Sequence, residues 1–236
     1  MVDYVTGLFT LLGVFIGIGG SILVQRLFFK REDAKERRDK IYGPILTEIS
    51  GILENTRQFE YSDFMSIQRL KGITRDYLFL TYADQDLKSG LSKLVNRIGI
   101  YEGFKSAARQ IYGDIIPEEA KKTLGIDIGS GAYNIFLQLS VGKAVVSTIL
   151  LHQAVFTNLN LKDFVETERK NYGIDMTVEA YIGGFKRSLD DFELLYTHVS
   201  QKLERDSFCL EERKQRERLI ADIEGFLEKL KGFVKS

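Results

Sequence analysis

Residues 132–152, AYNIFLQLSVGKAVVSTILLH, decide the fold. Tyr133, Ile135, Leu137, Leu139 and Val141 alternate with mostly polar residues, which is a strand signal. Ile135, Leu139, Gly142, Val146, Ile149 and Gln153 also share one face of a helix. The first reading gives a hairpin, 133–141 with 144–151; the second gives one more helix. Helical patterns flank the stretch on both sides and no partner strand is evident. The expectation is therefore helix and an all-α fold class, with the hairpin as the alternative.

Upstream, Gly43-Pro44 breaks or restarts a helix, since proline suits a first turn. Ile45, Leu46, Ile49, Ile52 and Leu53 then repeat at helical spacing to about Phe59. Ser62 or Asp63 is positioned to cap a short helix through Leu70, and DYLFLTY (76–82) reads as a buried helical turn or helix start. Leu87, Leu91, Leu94, Val95, Ile98, Tyr101, Ala108, Ile111 and Tyr112 hold one face, giving a long helix over 84–112. Pro117 starts a separate short helix that Gly125 stops. Downstream, Asn160 or Asp163 opens a helix closed by Tyr172-Gly173, and another runs over 178–205. In the last helix Ile220, Ile223, Leu227, Leu230 and Val234 follow 3-4-3-4 spacing, a face suited to docking or to a partner. Before it, EERKQRER mixes signs, with Glu212 and Arg216 at i, i+4, and reads as a solvated face.

The other organising stretch is Tyr4–Gln25, twenty-two residues without a formal charge. A helix of that length spans roughly 33 Å against a hydrocarbon core of about 30 Å. The segment before it has no Lys or Arg, and no Ala-x-Ala follows, so it reads as a retained anchor rather than a signal peptide. Seven Lys/Arg follow the stretch by residue 40 and none precedes it, which places the N-terminus outside and the remainder in the cytoplasm. Gly13, Gly17 and Ser21 share one face that would let a second helix approach closely. Arg26, Phe28, Phe29, Lys30 and Arg31 read as an interfacial collar. The expected organisation is an anchor over 1–29, a charged stalk over 30–44 and a helical domain over 45–236.

Composition excludes several classes. The chain has 236 residues with 33 Lys+Arg and 33 Asp+Glu, so no sequence-wide charge attracts nucleic acid. A single cysteine, Cys209, excludes a disulfide-stapled scaffold. The two histidines, His152 and His198, stand in no metal-ligand spacing, and His152 reads as a core or boundary residue. Asp190, Asp191 and Glu193 lie close together, but neighbours on a helix point apart and do not converge on one ion unaided. Nothing resembles a nucleophile elbow.

Leu124-Gly125-Ile126-Asp127-Ile128-Gly129-Ser130-Gly131 resembles the first phosphate loop of the actin and sugar-kinase superfamily, which would imply nucleotide and metal at Asp127. That fold places the loop at the start of a large duplicated domain, and about a hundred residues remain here, following a helix-like PEEAKKTL. No Gly-Lys-Ser/Thr follows either, so the segment reads as an interhelical loop.

The resulting expectation is a single-pass membrane protein whose helical domain is a scaffold, interaction or self-assembling module at the cytoplasmic membrane face. Its partners would be the lipid bilayer and a protein or further copies of itself, with no cofactor, no nucleic acid and no named reaction. The competing expectations are a tethered effector or enzyme with a site built from distant residues, and a membrane-perturbing, holin-like toxin.

Overall fold

The computed structural model describes residues 35–60, 64–128, 134–173 and 175–235. The first of these form a helix that widens into a π-helical turn at Arg38–Tyr42 and continues as α1, Gly43–Arg57. Pro44 explains the widening. Its ring has no N–H to offer the preceding turn and crowds a carbonyl there, so the backbone loosens instead of breaking. Next come α2 (Phe64–Ile73), α3 (Tyr77–Tyr82) and α4 (Gln85–Leu124). The 40 residues of α4 carry Pro117 inside one helix, where the sequence pattern predicts two. Gly113 stands four residues before that proline, so the crowded turn lacks a side chain. At the far end Gly125 adopts φ 67° and caps α4, as a left-handed C-cap requires.

The stretch that decides the fold is a hairpin. β1 (Ile135–Val141) pairs antiparallel with β2 (Ala144–Leu150) across a two-residue turn in which Gly142 has φ 60°. After α5 (Leu151–Phe156) and α6 (Leu161–Tyr172), β3 (Met176–Ile182) returns to pair with β1 along its whole length. Gly183-Gly184 then turns the chain into β4 (Phe185–Arg187). The sheet order is β2-β1-β3-β4. The expected all-α class is thus corrected to a mostly helical fold with a small four-stranded antiparallel sheet. The expected helix over 178–205 is likewise corrected: 176–187 is strand, and the helix α7 occupies only Leu189–Leu203. The physical reason is non-local. β1 acquires its second partner about forty residues downstream, in a strand whose alternation of Met176, Val178, Ala180 and Ile182 faces the core.

The final helix, α8 (Ser207–Lys235), and α4 lie side by side and run through two hydrophobic cores. In one core Ile45, Ile49 and Ile52 of α1 pack with Leu87, Leu91 and Ile98 of α4 and Ile223 and Leu230 of α8. In the other, Ile135, Leu137 and Leu139 of β1 pack with Tyr112 and Ile116 of α4, α5, and Phe192, Leu195 and Val199 of α7.

The expected architecture also has a membrane-spanning, single-pass helix. Among the described residues no helix is long and apolar enough to cross a membrane, because the two long ones, α4 and α8, are amphipathic and carry charges along their outer faces. The described fold is thus a helical body with a small sheet and no membrane-spanning helix among the described residues, in place of the expected single-pass architecture. The stretch Tyr4–Gln25, with Gly13, Gly17 and Ser21, and the collar Arg26, Phe28, Phe29, Lys30 and Arg31 lie outside the described residues.

Candidate functional site

The two cores meet at a buried polar node built around Phe59. Just beyond α1, Phe59 adopts φ 54°, a backbone region costly for a residue with a side chain. Its ring is fully buried and stacks on Phe156 at 4.0 Å between centroids. Three cations surround that ring: Lys105 Nζ at 5.9 Å, Arg109 at 5.2 Å and Arg216 at 5.5 Å. Each also donates to a main-chain carbonyl. Arg109 reaches Phe59 O at 2.6 Å, Lys105 reaches Glu60 O, and Arg216 reaches Phe156 O at 2.5 Å. Phe156 is the last residue of α5, so Arg216 meets the negative end of that helix, while Arg109 and Lys105 hold the two carbonyls of the turn that follows α1.

Glu212 supplies the buried countercharge. It accepts from the Tyr101 hydroxyl at 3.0 Å and lies 3.9 Å from Arg216 Nε. The expected solvated face is therefore corrected at two positions: Glu212 and Arg216 are 0% and 7% exposed. Burial pushes the Glu212 carboxyl up from its ordinary value, against the pull of Arg216, and pushes Lys105 down. His152, 6.0 Å from Tyr112 and 6.5 Å from Phe59 by ring centroids, is pulled down to about 4, first by burial and then by Arg109 and Lys105. At neutral pH it is an uncharged core histidine. Gln153 completes the node by accepting from Leu150 N at 3.2 Å and donating to Glu60 Oε1 at 3.1 Å.

The node locks elements together; its groups are sealed from substrate. Other chemically capable residues are also committed elsewhere. The Cys209 thiol is buried and pushed up to about 12, chiefly by burial, so it is a poor nucleophile. His198 Nδ1 faces Glu119 Oε2 at 3.7 Å, and Lys202 bonds the same carboxylate at 2.7 Å. Asp191 closes a capping box with Ser188 at the start of α7. Among the described residues no three His, Cys, Asp or Glu side chains are grouped to hold a metal ion. Ile223, Leu227 and Leu230 of the predicted interaction helix are buried against α1 and α4 of the same chain, and Ile220 is half-buried beside them. The Val234 side chain lies outside the described residues.

What remains open is the edge of the sheet. Its two edge strands differ in length and charge. β4 is three residues, two of them Lys186 and Arg187, a short charged edge of the kind that resists further pairing. β2 is seven residues, AVVSTIL, with no charge and no proline. Its register with β1 shifts between Leu139 and Ser140, leaving Val146 as the extra residue of a bulge. Val145 is 55% exposed and Thr148 is exposed. Among the described residues no strand covers the outer side of β2. Sequence reasoning missed this edge because it read the stretch as helix.

No protein-family model, no curated protein and no solved structure matches the chain.

Proposed function

We propose that the protein is a non-catalytic assembly module that pairs with a second copy of itself through β2. The open, uncharged β2 edge carries this reading. An unpaired strand edge of seven apolar or hydroxylated residues presents main-chain donors and acceptors to another strand. A two-fold axis beside β2 makes the pairing antiparallel, continuing the pattern of the sheet, and opposes no like charges. Antiparallel self-pairing also brings the start of one strand against the end of the other. Lys143, just ahead of β2, then approaches the partner's Gln153 region, where the exposed Glu60 carboxylate is held.

Sedimentation of the full chain over a concentration series tests the proposal, alongside Thr148→Lys. In the dimer that substitution sets two ammonium groups near one another, while the exposed position leaves the monomer's core untouched. The expected result is a concentration-dependent dimer for the native chain and a monomer with an unchanged circular-dichroism spectrum for the variant. A native chain that stays monomeric, or a variant that dimerises equally well, refutes the reading.

A further inference from the structure

The edge of β2 is uncharged along its length but not at its two ends. Between Asp127 and Lys162 the only formal charge in the sequence is Lys143. It stands exposed in the turn just ahead of the strand. Glu60 stands at the other end. It is far from β2 in sequence, and Gln153 ties its carboxylate to the strand. The Gln153 side chain accepts from the main chain of Leu150, the last residue of β2, and donates to Glu60 Oε1. One amide therefore separates the end of the strand from an exposed carboxylate. Lys105 donates to the main-chain carbonyl of Glu60. Among the described residues neither Lys143 nor the Glu60 carboxylate has an ion-pair partner in its own chain.

The edge thus carries a positive charge at its start and a negative one at its finish. An antiparallel two-fold lays such an edge against its own copy with opposite charges facing at both ends, whereas a parallel arrangement sets like against like. With Thr148 on the axis and the bulge at Val146 taking up one residue, Lys143 falls beside the partner's Gln153. The carboxylate that Gln153 holds is then across a strand spacing of about 4.8 Å, within reach of a lysine side chain.

We infer that Lys143 and Glu60 form two symmetric ion pairs across the β2 junction, which select this orientation and register and make the self-pairing dependent on ionic strength. The inference rests on the β2 reading and assigns its selectivity. A lysine beside an edge strand ordinarily discourages pairing. The acid at the opposite end makes it turn away every strand except one that offers a carboxylate at that place. Both groups are exposed, so each pair is modest and is screened by salt; the two together tighten the dimer about tenfold at low ionic strength.

Lys143→Glu and Glu60→Lys, each in the full chain, are followed by sedimentation at low and high salt, with circular dichroism to confirm folding. The first sets two carboxylates together at each end of the junction, and the second sets two ammonium groups there. Each variant alone should be monomeric at concentrations where the native chain is dimeric. An equimolar mixture of the two should dimerise, because the mixed pair restores an acid opposite a base at both ends. Salt should weaken the native dimer and strengthen that of Lys143→Glu. Lys143 lies in an exposed turn, so this salt comparison decides the matter should Glu60→Lys fail to fold. A native dimer that neither substitution nor salt alters leaves the β2 pairing in place and overturns the ion pairs. A mixture of folded variants no more dimeric than its components overturns them as well. A native chain that is monomeric throughout removes the β2 reading and this inference with it.

Discussion

Acid should loosen this molecule through one histidine. His152 is buried with its pKa pulled down to about 4, against an ordinary value of 6.5. The unfolded chain therefore takes up a proton below pH 6.5 that the folded chain refuses until near pH 4. Stability is fully present above 6.5 and falls as pH drops through that window. Each pH unit over which only the unfolded state holds the proton removes about 1.4 kcal/mol. Across the whole window the loss approaches about 3 kcal/mol, a large part of a typical total of about 5–15 kcal/mol. Urea unfolding at pH 7, 6, 5 and 4.5 measures it, with His152→Gln as the non-titrating reference. The variant starts less stable because it loses the ring packing on Tyr112 and Phe59. Its stability should nevertheless fall less steeply with acid than the native chain's, the difference reaching about 2–3 kcal/mol at pH 4.5. Parallel pH profiles for the two proteins would refute the buried, neutral assignment of His152.

Two further substitutions probe the packing that positions the sheet and the node. Glu212→Ala leaves Arg216 without its buried countercharge and should cost about 3–5 kcal/mol, whereas Glu212→Leu combined with Arg216→Met should cost less than the single change; chemical denaturation reads both, and a single-variant loss below about 1 kcal/mol contradicts the pairing. Gly183→Ala should cost about 2 kcal/mol, because the residue has φ +61° and a Cβ would come within 2.9 Å of Ile128 Cγ2. Gly184→Ala, at φ +84° with open space around it, should cost less, and thermal melts of the two variants rank them.

Much of the helical frame was legible from spacing alone. The faces of α1, α4 and α8 are visible in the sequence because apolar residues recur at 3.6-residue intervals. The sheet was not, although its local signals are present. Met176-Thr177-Val178-Glu179-Ala180-Tyr181-Ile182 alternates, and Gly183-Gly184 is a two-residue hairpin turn of the favoured kind. Each hairpin alone is ambiguous, and only the long-range β1–β3 pairing makes a sheet of them. The buried node left a subtler trace. Lys105 falls on the stripe Tyr101, Ala108, Tyr112, and Glu212 and Arg216 extend the stripe Leu219, Ile223 backward by helical steps. A charged residue on an apolar stripe predicts a buried ionic contact, and three such residues predict a cluster. Nothing local predicts that they converge on Phe59, because that depends on α1 and α5 ending at the same place.

The claim most exposed to test is the pairing of β2 with its copy. Cys209 is buried with a thiol pushed up to about 12, so Thr148→Cys in the full chain offers one reactive site for a nitroxide label. Strands in a sheet lie about 4.8 Å apart, so two labels across a β2–β2 junction fall within about 20 Å once the reach of both side chains is included. Double electron–electron resonance on the labelled protein should show a short, narrow distance that vanishes on dilution with unlabelled chain. No dipolar signal, or a distance well beyond that range, would contradict the account.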